Sequence, residues 1–112
     1  MVYRYIWKIT LNEDVREQDF INHWRESSTV LQEYPGALGT HLHRMRNDDR
    51  TFFAVAEWES MAARDAMQAE TKEGKTDRAK SWQQFMKNHT FGEIDVHLMG
   101  EEIGVALPSH QN

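Results

Sequence analysis

The spacing of apolar residues alternates between the period of a strand and the period of a helix, and this alternation limits the fold more than any other feature of the chain. The run at residues 2–10 places Tyr3, Tyr5, Trp7 and Ile9 on one face, which is the two-residue period of a strand. Neither face of this run is purely polar, so we expect both faces of the strand to be at least partly covered.

A helix is predicted after this strand. Asp14, with Glu17 three residues later, resembles the capping box that begins many helices. Pro35 and Gly36 end the helix, because proline cannot continue it and also pushes the preceding residue out of the helical region. The apolar residues that fall at helical spacing between these signals are Phe20, Trp24, Leu31 and Tyr34.

The second half of the chain predicts a hairpin, a helical region and a last strand. Residues 38–46 and 51–59 have strand patterns, and the polar turn at 46–50 joins them. Ser60 is a good N-cap for a helix over 61–70, which the segment TKEGK interrupts. A further helical segment carries Ala79, Trp82, Phe85 and Met86 on one face, and the last strand is GEIDVHLMG at residues 92–100.

The order β-α-β-β-α-β predicts an α+β fold of the ferredoxin-like kind, with helices on one face of an antiparallel sheet. One such domain is predicted over residues 1–100. A C-terminal tail at 101–112 is expected to lie loosely on the surface or to reach a partner.

The face of the sheet opposite the helices is also expected to be buried against another surface. The alternation in the last strand assigns Ile94, Val96 and Leu98 to the helices, so we expect Asp95, His97 and Met99 on the open face. Tyr3, Tyr5 and Trp7 are expected there too, and three such rings are too apolar to leave in water. A symmetric homodimer through the open sheet face is the predicted cover.

Composition excludes several classes of function. The chain has a net charge of −5 and no basic stripe, which disfavours nucleic acid as a partner. It contains no cysteine, so thiolate catalysis, disulfides and cysteine-type zinc sites are excluded. Arg4 and Lys8 interrupt the apolar run at the N-terminus, so we expect neither a membrane span nor a signal segment, and we expect a cytoplasmic protein.

His41 and His43 raise the possibility of a metal site. Residues i and i+2 of a strand share a face with Cα atoms about 6.6 Å apart, so both imidazoles could reach one ion. Only Asp95 or His97 is a reasonable third ligand, and soft ligands are absent. The sequence therefore favours no metal, and no nucleotide-binding motif points to another cofactor.

The run FINHWRESSTVLQEYPGALGTHLHR, followed by FFAVAEWES, resembles the antibiotic biosynthesis monooxygenase family of dimeric α/β barrels. The shared pattern is a helix, then PG-x-LG-x-x-L-H-R, then a strand that ends in W-x-S before another helix, and the likeness covers roughly residues 2–100. The resemblance implies a homodimer whose two sheets close into a barrel, with a cavity for a small aromatic or hydrophobic ligand. It does not by itself imply one reaction.

One branch of this family oxidises anthrone-type substrates with O₂ and uses neither metal nor flavin. His43, Trp58 and Arg78 match its site residues, whereas its strand asparagine and helical tyrosine are Ala54 and Arg64 here. The resemblance thus implies that His43 is the catalytic base, because an imidazole titrates near neutral pH. Trp58 would supply an indole N–H and a flat wall, and Arg78 a positive charge for an enolate oxygen.

Five further residues are predicted to bind the substrate. Asp95 and His97 could orient or replace the base, and the others line the same expected face. The predicted substrate-binding residues are His41, Asp95, His97, Trp7 and Tyr5.

Two alternatives remain beside the cofactor-independent monooxygenase. The absent asparagine and tyrosine favour a catalytically silent barrel that binds a small hydrophobic ligand. A haem-degrading branch of the family is favoured least, because its site positions hold Trp7, Met67 and the region of Asp77 here, with no histidine between His43 and His89.

Overall fold

A four-stranded antiparallel sheet carries helices on one of its faces. The computed structural model describes residues 1–87 and 91–109, so the last three residues of the predicted tail lie outside the described residues. The strands are β1 (Tyr3–Leu11), β2 (Ala37–Met45), β3 (Asp48–Trp58) and β4 (Gly92–Glu101), in the spatial order β2-β3-β1-β4. The helices are α1 (Glu17–Leu31), α2 (Met61–Glu73) and α3 (Asp77–Lys87). The predicted ferredoxin-like βαββαβ fold is confirmed.

The pairing of β1 with β3 determines which side chains face the helices. Ile9 lies opposite Phe52 and Tyr3 lies opposite Trp58, and all four side chains are buried. The expectation that Tyr3 points to the open face, with Tyr5 and Trp7, is therefore wrong. These rings form the larger apolar face of β1, and the helices provide the apolar surface that covers it.

A register shift in β4 changes which of its residues face the helices. Trp7 pairs with Val96, but Ile6 pairs with Leu98, so His97 is the extra residue of a bulge. A bulge of this kind reverses the alternation beyond it. Val96 therefore faces the helices as predicted, whereas Leu98 lies on the open face, contrary to prediction.

The same register shift determines which face of the sheet the residues on either side of the bulge occupy. Met99 pairs with Tyr5 and so faces the helices, which corrects its predicted position. Asp95 pairs with Lys8 on the open face, as predicted. The other edge strand, β2, has register shifts between Ala37 and Gly39 and between Arg44 and Met45.

The predicted N-cap of α2 is present in the structure, whereas the predicted N-cap of α1 is not. The hydroxyl of Ser60 accepts a hydrogen bond from the backbone N–H of Ala63 at 3.1 Å, which confirms the predicted N-cap. Helix α1 has Arg16 as its N-cap, with no side-chain cap, so the predicted capping box of Asp14 does not form. The N–H of Val15 bonds to the carbonyl of Asn12 at 3.1 Å, and this turn holds Asp14 ahead of the helix.

The Pro-Gly turn brings β2 against the start of α2. Gly36 has φ +85, and a Cβ at this position would lie 2.5 Å from the Cβ of Ala63. Only glycine combines this backbone conformation with so close an approach. The carbonyl of Gly36 accepts a hydrogen bond from the N–H of Glu59 at 2.8 Å, just beyond Trp58 at the end of β3.

Candidate functional site

A cavity of about 350 Å³ lies between the sheet and the helices. This volume is within the range of small-molecule sites. All four tryptophans of the chain line the cavity, although they come from four different elements: Trp7, Trp24, Trp58 and Trp82.

Small residues of β3 create the space on the sheet side. Ala54 lies opposite Trp7, and Ala56 lies opposite Tyr5. Because both alanines are short and buried, the sheet is recessed between the large rings that flank it. Trp58, which is 1% exposed, closes the same row. The sheet side of the cavity is therefore aromatic, with free space above the two alanines.

His23, from α1, is the one imidazole among the described residues that line the cavity. Its ring centroid lies 5.5 Å from that of Phe85 and 4.8 Å from that of Phe91, and its Nε2 atom is buried. Burial lowers the pKa of His23, and Glu26 raises it by a smaller amount. The neutral imidazole is thus the favoured form at neutral pH, and this form can accept a proton.

Arg64, from α2, carries the only permanent charge among the described residues that line the cavity. Its guanidinium carbon lies 4.4 Å from the centre of the Tyr5 ring, and its Nη1 donates a hydrogen bond to the side-chain oxygen of Gln68. Both partners are uncharged. The arrangement therefore places a cation on an aromatic face, at the side of an otherwise neutral cavity.

The predicted site residues divide between the two faces of the sheet. Trp58, Tyr5 and Trp7 come together at the cavity. His43 does not line it, since it lies opposite Phe53, and Phe53 belongs to the open-face row of β3. His41 lies opposite Val55, with its Nε2 3.3 Å from a carboxylate oxygen of Glu57. The functional roles of both histidines stay predictions.

The predicted residues of β4 also lie away from the cavity. Asp95 pairs with Lys8, and the ring of His97 lies 5.3 Å from that of Phe53. Both side chains therefore belong to the open face with His41 and His43.

Arg78 supports the cavity from outside its lining. Its guanidinium donates to both carboxylate oxygens of Glu70 at 2.5 and 2.6 Å and to the carbonyl of Glu33 at 2.8 Å. It also lies 4.8 Å from the centre of the Tyr34 ring. The hydrogen bonds from Arg78 lower the pKa of Glu70. Arg78 thus connects α3 with α2 and with the end of α1.

The sequence pattern does not predict the cavity roles of His23 and Arg64, and it predicts Trp24 and Trp82 only as members of apolar helix faces. A signal for His23 was present, because it follows the buried Phe20 by three residues and so shares its helical face. Arg64 stands at the position of the family tyrosine, which by itself indicates no role in the cavity.

Two kinds of feature were not found in the described parts of the chain. Within residues 1–87 and 91–109, no three or more His, Asp or Glu side chains come together as a metal site would require. No described helix combines the length and the apolar character needed to cross a membrane.

Comparisons with known proteins agree with this architecture. The family model described as antibiotic biosynthesis monooxygenase matches residues 3–88. No curated protein matches the chain.

Solved structures with the same fold are distant in sequence. A variant of SnoaB, described as a cofactor-independent oxygenase from Streptomyces nogalater, is 13% identical with a TM-score of 0.74, over 93% of this chain and 95% of that one. A putative antibiotic biosynthesis monooxygenase from Bordetella bronchiseptica is 20% identical with a TM-score of 0.64, over 91% and 97%. Another from Nitrosomonas europaea is 12% identical with a TM-score of 0.65, over 91% and 90%. At these identities the likeness establishes the fold.

Proposed function

Because the chain belongs to the antibiotic biosynthesis monooxygenase family, we propose that it oxidises a small aromatic or quinol-like substrate with O₂ and without a bound cofactor. The observation that carries the proposal is the cavity, whose wall combines all four tryptophans with the half-buried imidazole of His23, whose Nε2 atom is buried. The description of the structurally similar SnoaB as a cofactor-independent oxygenase supports the same kind of reaction.

The reaction needs a substrate that supplies all the electrons. An aromatic ketone with an acidic CH₂ group loses one proton to a base, and the electron pair of the broken C–H bond delocalises over the rings as an enolate. Electron transfer to O₂ and formation of a C–O bond give a hydroperoxide, which loses water to leave a C=O group. The balance is CH₂ + O₂ → C=O + H₂O, so no external reductant is required.

His23 is the group of the cavity that suits the role of the base. In its neutral form it accepts the substrate proton at a ring nitrogen, and the imidazolium then returns that proton to the peroxide anion, which becomes the hydroperoxide. The tryptophan walls exclude water, and an enolate that is spread over flat rings can stack on them. Trp58 is the wall residue that the family resemblance also singles out.

His43 is the competing candidate, since the resemblance assigns the base to it. In the single chain it lies across the sheet from the cavity. We propose that the open face pairs with a second copy, in which case His41, His43, Asp95 and His97 belong to the interface. Arg78 acts as a positioning residue, because its hydrogen bonds to Glu70 hold α2 and α3 over the cavity.

Oxygen uptake with anthrone tests the reaction and the choice of base together. We expect EDTA-treated protein to consume O₂ faster than the uncatalysed background, with His23→Gln lowering kcat by about 100-fold, as loss of a general base typically does. If His43→Gln lowers kcat and His23→Gln does not, the base is His43. Circular dichroism of both variants checks that each has folded.

A barrel that only binds its ligand remains the second candidate, and the aromatic cavity is the observation that favours it. In that case anthrone would quench tryptophan fluorescence, because all four tryptophans line the cavity, but O₂ uptake would not exceed the background. The two measurements on one sample therefore separate catalysis from binding.

A further inference from the structure

We propose that Arg64 makes the cavity selective for aromatic ligands that carry a negatively charged oxygen, such as a carboxylate or a phenolate. The inference deepens the proposed function, since it names the substrate class of the same cavity. The selective binding does not depend on that function, but the statement that the bound ligand is a substrate rests on it. It follows from the charge, the hydrogen bonds and the position of one side chain.

Within the described residues, Arg64 lacks the carboxylate partner that four other arginines of the chain have. Arg4, Arg16, Arg44 and Arg78 each pair with a carboxylate. Arg64 forms no ion pair within the described residues, and its hydrogen bond goes to the neutral amide of Gln68. A guanidinium has five N–H donors in a planar fork, so most of them remain for a further acceptor.

The position of Arg64 makes a ligand the natural source of that acceptor. The side chain is half-buried, lines the cavity and rests on the Tyr5 ring at 4.4 Å. A cation beside apolar walls is poorly solvated, and a hydrogen bond between two charged groups is stronger there than in water. A planar carboxylate fits the fork of the guanidinium with two parallel hydrogen bonds.

The cavity borders two core clusters. Tyr5, under Arg64, packs against the core cluster that contains Trp58, whereas Phe91, beside His23, packs against the cluster that contains Phe20 and Phe52. We expect a ligand whose charged oxygen binds Arg64 to place its rings against the tryptophan walls of the cavity that His23 also lines.

A pair of ligands with the same shape and different charge tests the proposal. The probes are 2-naphthoate and 2-naphthamide, and quenching of tryptophan fluorescence reports binding in the cavity. We expect the wild-type protein to bind naphthoate about tenfold or more tightly than naphthamide, as for a charge-assisted hydrogen bond. Arg64→Met should abolish this preference, and Arg64→Lys should keep part of it.

The control is Arg25→Gln, which removes the same charge from an exposed position on α1 outside the cavity lining. It should leave the preference for naphthoate unchanged, which excludes an effect of net charge alone. Equal affinity of the wild type for the two probes, or no binding of either, would overturn the proposal. A loss of both ligands in folded Arg64→Met would do so too, because it would indicate a packing role.

The outcome is independent of catalysis. A preference for naphthoate that depends on Arg64, without any O₂ uptake, would support the ligand class and contradict the monooxygenase proposal. O₂ uptake with no preference between the probes would support the monooxygenase proposal and contradict the proposed ligand class.

Discussion

His23 shows how a helix position acquires a chemical role from its neighbours. Its ring packs beside Phe85 and Phe91, and this apolar contact disfavours the charged imidazolium. The sequence places the residue on the buried face of α1, three residues after Phe20, but it cannot reveal that α3 and the segment before β4 complete the surroundings. Helix contacts of this kind depend on the assembled fold.

The lowered pKa of His23 predicts a contribution to stability that depends on pH. As pH falls below about 6.5, the ordinary value for histidine, the unfolded chain takes up a proton that the folded chain resists, so the free energy of unfolding decreases. In His23→Gln this decrease should be smaller between pH 7.5 and 5.5, as measured by urea unfolding. His43→Gln, at an exposed position, is the control, and parallel pH profiles for wild type and His23→Gln would contradict the prediction.

Trp58 combines a place in the cavity wall with a place in the core. It is 1% exposed, so we expect Trp58→Ala to lower the free energy of unfolding by about 3–5 kcal/mol, the usual cost of removing a buried aromatic ring. Trp82→Ala should cost less, because Trp82 is only half-buried. Urea unfolding measures both, and equal losses would argue against Trp58 as a core residue.

The elements differ in how well their sequence patterns predict them. The hairpin of β2 and β3, the cap at Ser60 and the interruption between α2 and α3 depend on local signals, and all three are present. Their predicted bounds were less accurate, because β3 begins at Asp48, inside the predicted turn, and α2 continues to Glu73, inside the predicted interruption. The assignment of faces in β1 and β4 was less successful. The faces of β1 are both partly apolar, so the pattern could not choose between them, and the bulge at His97 has no signature in the residues that form it.

The end of α2 provides a test of one element boundary. Gly74 adopts a left-handed conformation with φ +69, and a Cβ there would lie 2.8 Å from the side-chain nitrogen of Gln83. We expect Gly74→Ala to lower the free energy of unfolding by about 1–2 kcal/mol, the cost of a left-handed conformation for a residue with a side chain. Gly104→Ala is the matched control, since a Cβ at that position meets open space. Equal stabilities of the two variants would show that the end of α2 tolerates a side chain.

At the scale of the whole molecule, the open face of the sheet is the surface that a partner would cover. It combines apolar side chains, such as Phe53 and Leu98, with charged groups such as Lys8 and Asp95. The sequence predicted that this face needs a cover, but it placed the wrong aromatic rings there. The proposed homodimer therefore depends on a mixed surface and not on Tyr3, Tyr5 and Trp7.

Sedimentation velocity of a variant on this face tests the dimer. We expect the wild-type protein to sediment as a dimer at micromolar concentration and Phe53→Glu to sediment as a monomer, because each copy would bury an unpaired carboxylate. Thr29→Glu, at an exposed position on α1, introduces the same charge and should remain dimeric. A wild-type monomer would refute the homodimer.

The interrupted edges of the sheet have a consequence for how copies of the chain can aggregate. A regular edge strand can recruit a strand from another molecule and so begin a fibril. Here each edge strand contains one extra residue, Leu38 in β2 and His97 in β4, and such an irregularity interrupts the row of backbone groups that an added strand would need. The protein should therefore resist fibril growth even at high concentration, and its copies can meet through the face of the sheet without polymerising at its edges.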